Sequence, residues 1–210
     1  MNKLLLATRS AAKAREIGEI LAGSHVDVVS LEDIHFPWRS EEERIEEYDS
    51  FLANARSKAE YFARLSGLPT VADDSGLEVV TLGGAPGVRS KRFAPDAAGL
   101  AGKPLDNANN AEVLRRLLGA DTPRRRASYV CVAVLIRKPG AVPEAFTGRC
   151  WGRILDAPKG SGGFGYDPLF YHDGLCKTFG EATAAEKHGV SHRGAAFREL
   201  ATALAAAPLR

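Results

Sequence analysis

A chain of 210 residues with 45% hydrophobic and 26% charged residues has ordinary globular composition and enough length to bury a real core in one domain. Its formal net charge of +2 is too small to recruit nucleic acid or a membrane surface by bulk electrostatics. Cys131, Cys150 and Cys176 lie far apart without zinc-ligand spacing, so reduced thiols in a cytosol are the simpler reading. The apolar run from Leu4 stops at Thr8-Arg9, and nowhere do about 18 apolar residues run together. Neither a signal-peptide core nor a membrane span is expected, and the chain reads as soluble and cytoplasmic.

In chain order, Lys3 to Ala7 reads as a buried strand and Thr8-Arg9-Ser10 as a turn. A helix follows with Ile17, Ile20 and Leu21 on one face. A helix start presents unpaired N–H groups and a positive dipole end. Thr8, Arg9, Ser10, Ala11, Ala12 and Lys13 therefore form a candidate phosphate turn, without the Gly-Lys-Ser/Thr ending of a Walker A loop. An ordinary turn with a solvated lysine fits the same residues. Val26 to Leu31 reads as a second strand. Residues 40–49 are dense in acid, mostly as solvated surface. One of those acids could serve magnesium, which takes one or two carboxylates plus phosphate oxygens. From Ser50, the spacing of Phe51, Leu52, Ala55, Ala59, Phe62 and Ala63 predicts a long helix, closed by Gly67 and Pro69.

Thr70 to Ala72 reads as a short strand ending at Asp73-Asp74-Ser75-Gly76. Adjacent carboxylates there are costly unless a cation or donor stands nearby, and open α/β sheets place their sites beyond strand C-termini. An Asx-type turn is the competing explanation. Leu77 to Leu82 continues extended into a Gly-Gly-Ala-Pro-Gly loop. Residues 88–104 read as irregular, and Val113, Leu114, Leu117 and Leu118 mark a helix. Tyr129 to Arg137 and Ala145 to Leu155 read as partnered strands. After the glycine-rich stretch, Phe164-Gly165-Tyr166-Asp167 offers an aromatic face and a carboxylate to a base or ribose, or simply turns into a core strand. Lys187 and Ser191-His192-Arg193 form a basic cluster before a last helix. It suits an anion or a carbonyl oxygen, or equally a cap with exposed bases. The alternation of elements predicts an α/β fold, a mixed twisted sheet flanked by helices.

The order of these motifs resembles the inosine triphosphate pyrophosphatase-like family, whose bacterial members are called dITP/XTP pyrophosphatases. The resemblance runs from Leu4-Leu5-Leu6-Ala7-Thr8 to Ser191-His192-Arg193-Gly194. Between them lie Ala72-Asp73-Asp74-Ser75-Gly76-Leu77, Leu82-Gly83-Gly84-Ala85-Pro86-Gly87 and Gly162-Gly163-Phe164-Gly165-Tyr166-Asp167-Pro168. It implies an elongated, two-lobed single domain over residues 1–210 with a central substrate cleft, and assembly as a homodimer. It implies Mg²⁺-dependent hydrolysis of dITP/ITP and XTP/dXTP to the monophosphate and pyrophosphate.

The same resemblance implies residue roles. Thr8 through Lys13 match the phosphate-binding turn. Glu46 and Asp74 match the metal ligands, and Asp74 also the catalytic base. Lys58 matches a triphosphate contact and Ser75 a substrate contact. Phe164, Gly165, Tyr166, Asp167, Lys187, His192 and Arg193 match the nucleoside pocket. Three stretches depart from the usual pattern: Thr8-Arg9-Ser10 stands for Thr-Gly-Asn, Ala12-Lys13 for Gly-Lys, and Glu46-Glu47-Tyr48 for Glu-Thr-Gly. The alternatives are a pyrimidine nucleotide pyrophosphatase of related fold, or a nucleotide-binding module that does not hydrolyse. The paired Asp73-Asp74 argues against the second, since binding alone needs no base. Nucleic acid and membrane are not expected partners.

Overall fold

The structure, a computed structural model, describes residues 3–24 and 26–209. Strand β1 (Lys3–Leu6) leads into helix α1 (Ala11–Leu21), which returns the chain to β2 (Asp27–Ser30), parallel to β1 from Lys3↔Asp27 to Leu6↔Ser30. Ser10 caps α1, its hydroxyl accepting from the Lys13 N–H at 3.4 Å. A 3₁₀ turn at Ser40–Arg44 precedes α2 (Phe51–Ser66), which Ser50 caps and Gly67 ends in the left-handed conformation. There follow β3 (Thr70–Val79), 3₁₀ turns at Val80–Leu82 and Gly87–Arg92, and α3 (Gly102–Arg116). Then come β4 (Arg126–Ile136), β5 (Glu144–Ile154), β6 (Phe170–His172), β7 (Lys177–Thr178), α4 (Ala184–Val190) and α5 (His192–Ala206).

The strands form one mixed sheet in the order β2-β1-β3-β4-β5-β6-β7, flanked by helices. Pairing is parallel from β2 through β1 to β3, and antiparallel from β5 through β6 to β7. Strand β4 is the middle strand of the seven. All but its first residue are buried, which is why Ala127 to Ile136 reads as a continuous run of small and apolar side chains. Its neighbour β5 alternates buried and exposed positions instead.

The chain sorts into two compact units. The first comprises residues 1–74, 131–148 and 192–210. Its core joins Leu4, Leu6, Ile17, Val71, Leu135 and Phe197, and α1 packs on α5. The second comprises residues 75–130 and 149–191. Its core joins Leu77, Val113, Ile154 and Leu169 with an aromatic group in which Tyr129 and Phe170 lie 4.7 Å apart between ring centres. No described helix is long and apolar enough to cross a membrane.

Several expectations needed correction. The strand expected to stop at Ala72 runs on to Val79, because the buried stretch resumes at Gly76 and Leu77. Its parallel partner β1 is the strand that ends here, meeting β3 only at Thr70 and Val71. The second strand is shorter than expected, at Asp27–Ser30. Leu52 and Leu118 are exposed: Leu52 turns away from the buried face of α2, and Leu118 lies beyond the end of α3. Residues 88–104 hold a 3₁₀ turn and the start of α3 rather than only irregular chain. Helix α4 was not foreseen, although Thr183-x-x-Glu186 is a capping box with both of its hydrogen bonds formed.

In the first unit, β5 and the start of α5 meet at Gly148. A Cβ built there would overlap the His192 carbonyl oxygen and stand 2.7 Å from the Ala196 nitrogen, both backbone atoms that cannot rotate aside. Gly148→Ala is expected to cost about 1–3 kcal/mol by overpacking, measured as a lower urea midpoint with unchanged slope. An unchanged midpoint would show that α5 can shift freely.

Candidate active site

The first unit gathers charges from α1, α2, β3, α5 and the segment before α2. Helix α1 carries Lys13, and its ammonium lies 3.1 Å from the Asp73 carboxylate on β3. The same Asp73 oxygen takes Arg193 of α5 at 3.4 Å, and Arg193 also pairs with Glu16 of α1. The segment before α2 supplies Glu46, which is bonded to Lys58 on α2. One turn earlier on the same helix, Asn54 donates to Asp74 at 3.0 Å and clasps the Tyr48 backbone at both its N–H and its carbonyl. Asp73 and Arg193 are almost wholly buried, and Lys58 nearly so.

The two adjacent aspartates are shifted in opposite directions. Burial disfavours charge on Asp73, but Lys13, Arg193 and Lys58 together outweigh it and hold the carboxyl well below the usual range. Burial raises Asp74, and Lys13, Lys58 and the Asn54 amide do not fully offset it. Burial likewise opposes charge on Glu46 and Lys58, yet each is overruled: Lys58 lowers Glu46, while Glu46, Asp73 and Asp74 raise Lys58. The two adjacent carboxyls are thus pushed apart, Asp73 downwards and Asp74 upwards.

Around the turn after β1, side chains serve local ends. Thr8 accepts from the Ser10 N–H at 3.1 Å, and Ser10 caps α1. Arg9 reaches Glu42 with two hydrogen bonds rather than standing in the turn as a bare cation. Ala11 and Ala12 have only backbone N–H groups to offer a phosphate, in the first turn of α1.

In the second unit, the stretch from Phe164 to Asp167 is fixed from several sides. Asp167, nearly wholly buried, accepts from the Phe164 N–H at 2.8 Å and from Lys187 at 2.6 Å. The Lys187 ammonium also stands 4.9 Å from the Phe164 ring centre. Asp106 and Asn110 of α3 hold Gly165 at its N–H and its carbonyl, both at 2.8 Å. Tyr166 is buried and donates to the Ser90 carbonyl at 2.7 Å. Phe164 is half-buried. Ser75, also half-buried, opens this unit on β3.

The basic cluster expected as one group divides between the units. Lys187 belongs to the second and engages Asp167, whereas His192 and Arg193 belong to the first, where Arg193 engages Asp73 and Glu16. The Ham1 family model matches residues 4–203. The chain belongs to the Ham1 family.

Among Ham1 relatives, a dITP/XTP pyrophosphatase of Frankia alni is 45% identical over 204 residues, covering 96% of each chain. The Ham1 protein of Coxiella burnetii has a solved structure that covers 99% of this chain and 100% of its own, at 35% identity and a TM-score of 0.83. A nucleoside-triphosphatase or dITP/XTP pyrophosphatase of Mycobacterium abscessus superposes with a TM-score of 0.71 at 38% identity, covering 96% of this chain and 98% of its own.

The chemistry of this Ham1 site can be tested against a magnesium ion. Among the described residues, no three His, Cys, Asp or Glu side chains are gathered to hold a metal by themselves. Magnesium does not require that, since it usually keeps waters and binds one or two carboxylates with substrate phosphates. Glu46 and Asp74 are hard oxygen donors of the right kind. Glu46 lies close enough to Asp74 to push its carboxyl further up, and a cation held by both would relieve that repulsion. The residues present fit such an ion.

Sequence reasoning did not single out Asn54, Glu16, Asp106 or Asn110. Asn54 and Lys58 did leave a signal: they are two polar residues one turn apart, interrupting the buried apolar face formed by Phe51, Ala55, Ala59 and Phe62. Glu16 left none, because its partner lies 177 residues away.

Proposed function

We propose that this chain hydrolyses noncanonical purine nucleoside triphosphates, dITP/ITP and XTP/dXTP, to the monophosphate and pyrophosphate. All of residues 1–210 serve one catalytic domain. The reading rests on the Lys13–Asp73–Asp74–Lys58–Glu46 constellation, built around the buried Asp73 and Lys58, in a Ham1 chain whose relatives bear the name dITP/XTP pyrophosphatase. Glu46 and Asp74 would hold magnesium, which supplies charge neutralisation of the phosphates when bound. Asp74, whose carboxyl burial raises, accepts the proton of a water attacking the α-phosphorus. The bond from that phosphorus to the bridging oxygen breaks, and the pyrophosphate departs with its charge balanced by Lys13 and Lys58. Asp73 stays ionised and holds Lys13 in position.

In the second unit, Phe164 offers a stacking face to the base, and Lys187 a donor that suits a 6-oxo group. Adenine presents a donor at that position, so Lys187 would meet donor with donor, a mismatch that costs about 1–3 kcal/mol. Cytoplasmic location and assembly as a homodimer belong to the same proposal.

One assay tests the reading. Pyrophosphate release is measured for ITP, dITP, XTP, ATP, GTP and dTTP, with magnesium and with chelator. Fast release from the first three, lost with chelator, is expected. Release of inorganic phosphate instead, or equal rates for ATP and ITP, would reject it, and a preference for dTTP would favour a pyrimidine nucleotide pyrophosphatase.

A further inference from the structure

Arg9 stands where the resembling family usually has glycine, and its side chain is built into a clasp within the first unit. Nε and Nη2 form a two-pronged pair with the Glu42 carboxylate at 2.9 and 2.7 Å. Nη1 donates to the Phe36 carbonyl at 3.0 Å and Nη2 to the Pro37 carbonyl at 3.1 Å. The guanidinium carbon lies 5.8 Å from the Phe36 ring centre and 5.9 Å from that of Phe62 on α2, and the two rings meet edge to face at 5.3 Å. Glu42 in turn accepts from the Arg39 N–H at 3.2 Å, so the clasp also fixes the start of the Ser40–Arg44 turn.

That turn ends two residues before Glu46. On the far side of Glu46, Asn54 grips the Tyr48 backbone. Glu46 therefore sits on a short stretch fixed at both ends, by Arg9 before it and by Asn54 after it. Arg9 itself is part of the turn that leads into α1 and Lys13. A lysine could not reproduce this clasp, since it lacks the planar fork that satisfies a carboxylate and two carbonyls together.

We propose that Arg9 is a positioning residue for Glu46: by clasping Glu42 and the Phe36 and Pro37 carbonyls, it holds the 36–46 segment against the turn that carries Lys13, so that Glu46 is presented ready to take a divalent cation. This rests on the reading of Glu46 as a metal ligand. Groups hydrogen-bonded directly to a metal ligand typically contribute about 10–100-fold to metal affinity, and Arg9, which reaches Glu46 only through the chain, is placed at the low end of that range.

The test uses the full chain with Arg9→Ala, Arg9→Lys, Glu42→Gln and the double variant Arg9→Ala/Glu42→Gln. Two quantities are read: amide hydrogen exchange of residues 36–46 in the metal-free protein, and the magnesium concentration giving half-maximal pyrophosphate release at saturating ITP. The expected result is faster exchange confined to 36–46 in every variant and a half-saturating magnesium concentration raised about 10-fold. The double variant should be no worse than either alanine or glutamine single variant, because the two residues form one unit. Unchanged exchange would overturn the clasp itself. Faster exchange with unchanged magnesium dependence would overturn the link to Glu46. A rise in the KM for ITP at saturating magnesium, with no change in half-saturation, would mean that Arg9 acts on phosphate instead. If the unmodified protein released no pyrophosphate, the proposed function would fall, while the exchange data would still report on the clasp.

Discussion

Asp74→Asn is expected to lower turnover about 10²–10⁴-fold, the usual cost of removing a general base, while leaving the protein folded. The folded state should not suffer, because burial makes the ionised Asp74 carboxylate unfavourable there. A carboxyl whose folded value is raised is bound more tightly by its proton in the folded state, so at neutral pH its charge opposes folding. Asparagine removes that charge and can still accept the Asn54 amide hydrogen bond seen at 3.0 Å. A thermal midpoint equal to or above that of the parent is therefore expected beside the lost turnover. Turnover within a fewfold of the parent would remove Asp74 from the mechanism. A large fall in the midpoint would show that its charge is compensated better than its burial suggests.

How far the sequence reveals these roles differs from residue to residue. The turn from β1 into α1 was readable because capping is local: Ser10 and Lys13 are three residues apart. The extent of α2 was readable for the same reason, from Ser50 to Gly67. The Asp73-Asp74 pair stood out as costly, but its setting was misjudged. The strand that ends beside it is β1, and no local pattern in residues 70–79 reports where a parallel partner stops. The resemblance separates Asp74 from Asp73, but the local pattern does not, because the opposite shifts depend on Arg193, brought to Asp73 from 120 residues away, and on the burial that raises Asp74. Arg9 shows the same limit. As a residue type it suits phosphate, and only the return of Phe36 and Glu42 to its side gives it another task. Periodicity placed Leu52 correctly in α2 but carried the next helix too far, to Leu118, which lies exposed beyond α3.

The neighbouring substitution, Asp73→Asn, is expected to behave in the opposite way, as a loss of stability before any loss of chemistry. Asp73 is wholly buried between Lys13 at 3.1 Å and Arg193 at 3.4 Å. Neutralising it leaves two cations facing an amide, one of them, Arg193, almost wholly buried. Removing one partner of a buried ion pair typically costs about 3–5 kcal/mol, much of it from the charge left uncompensated. The lower end applies here, because Arg193 keeps Glu16 and Lys13 is not fully enclosed. About 3 kcal/mol corresponds to a thermal midpoint lower by roughly 6–12 °C in a chain of this size. The pH dependence carries a definite sign. The folded carboxyl lies below its ordinary value of 3.8, so its stabilisation is fully present above that value and is lost as pH falls below it. The stability gap between parent and Asp73→Asn should therefore be constant from pH 8 to about pH 5 and shrink below about pH 4. Denaturant titrations of both proteins across that range would measure it. A gap that widened in acid, or an Asp73→Asn protein as stable as the parent at pH 7, would show that Lys13 and Arg193 do not depend on this carboxylate. The loss of turnover in Asp74→Asn would then need to be compared with that of Asp73→Asn before either residue could be assigned as the base.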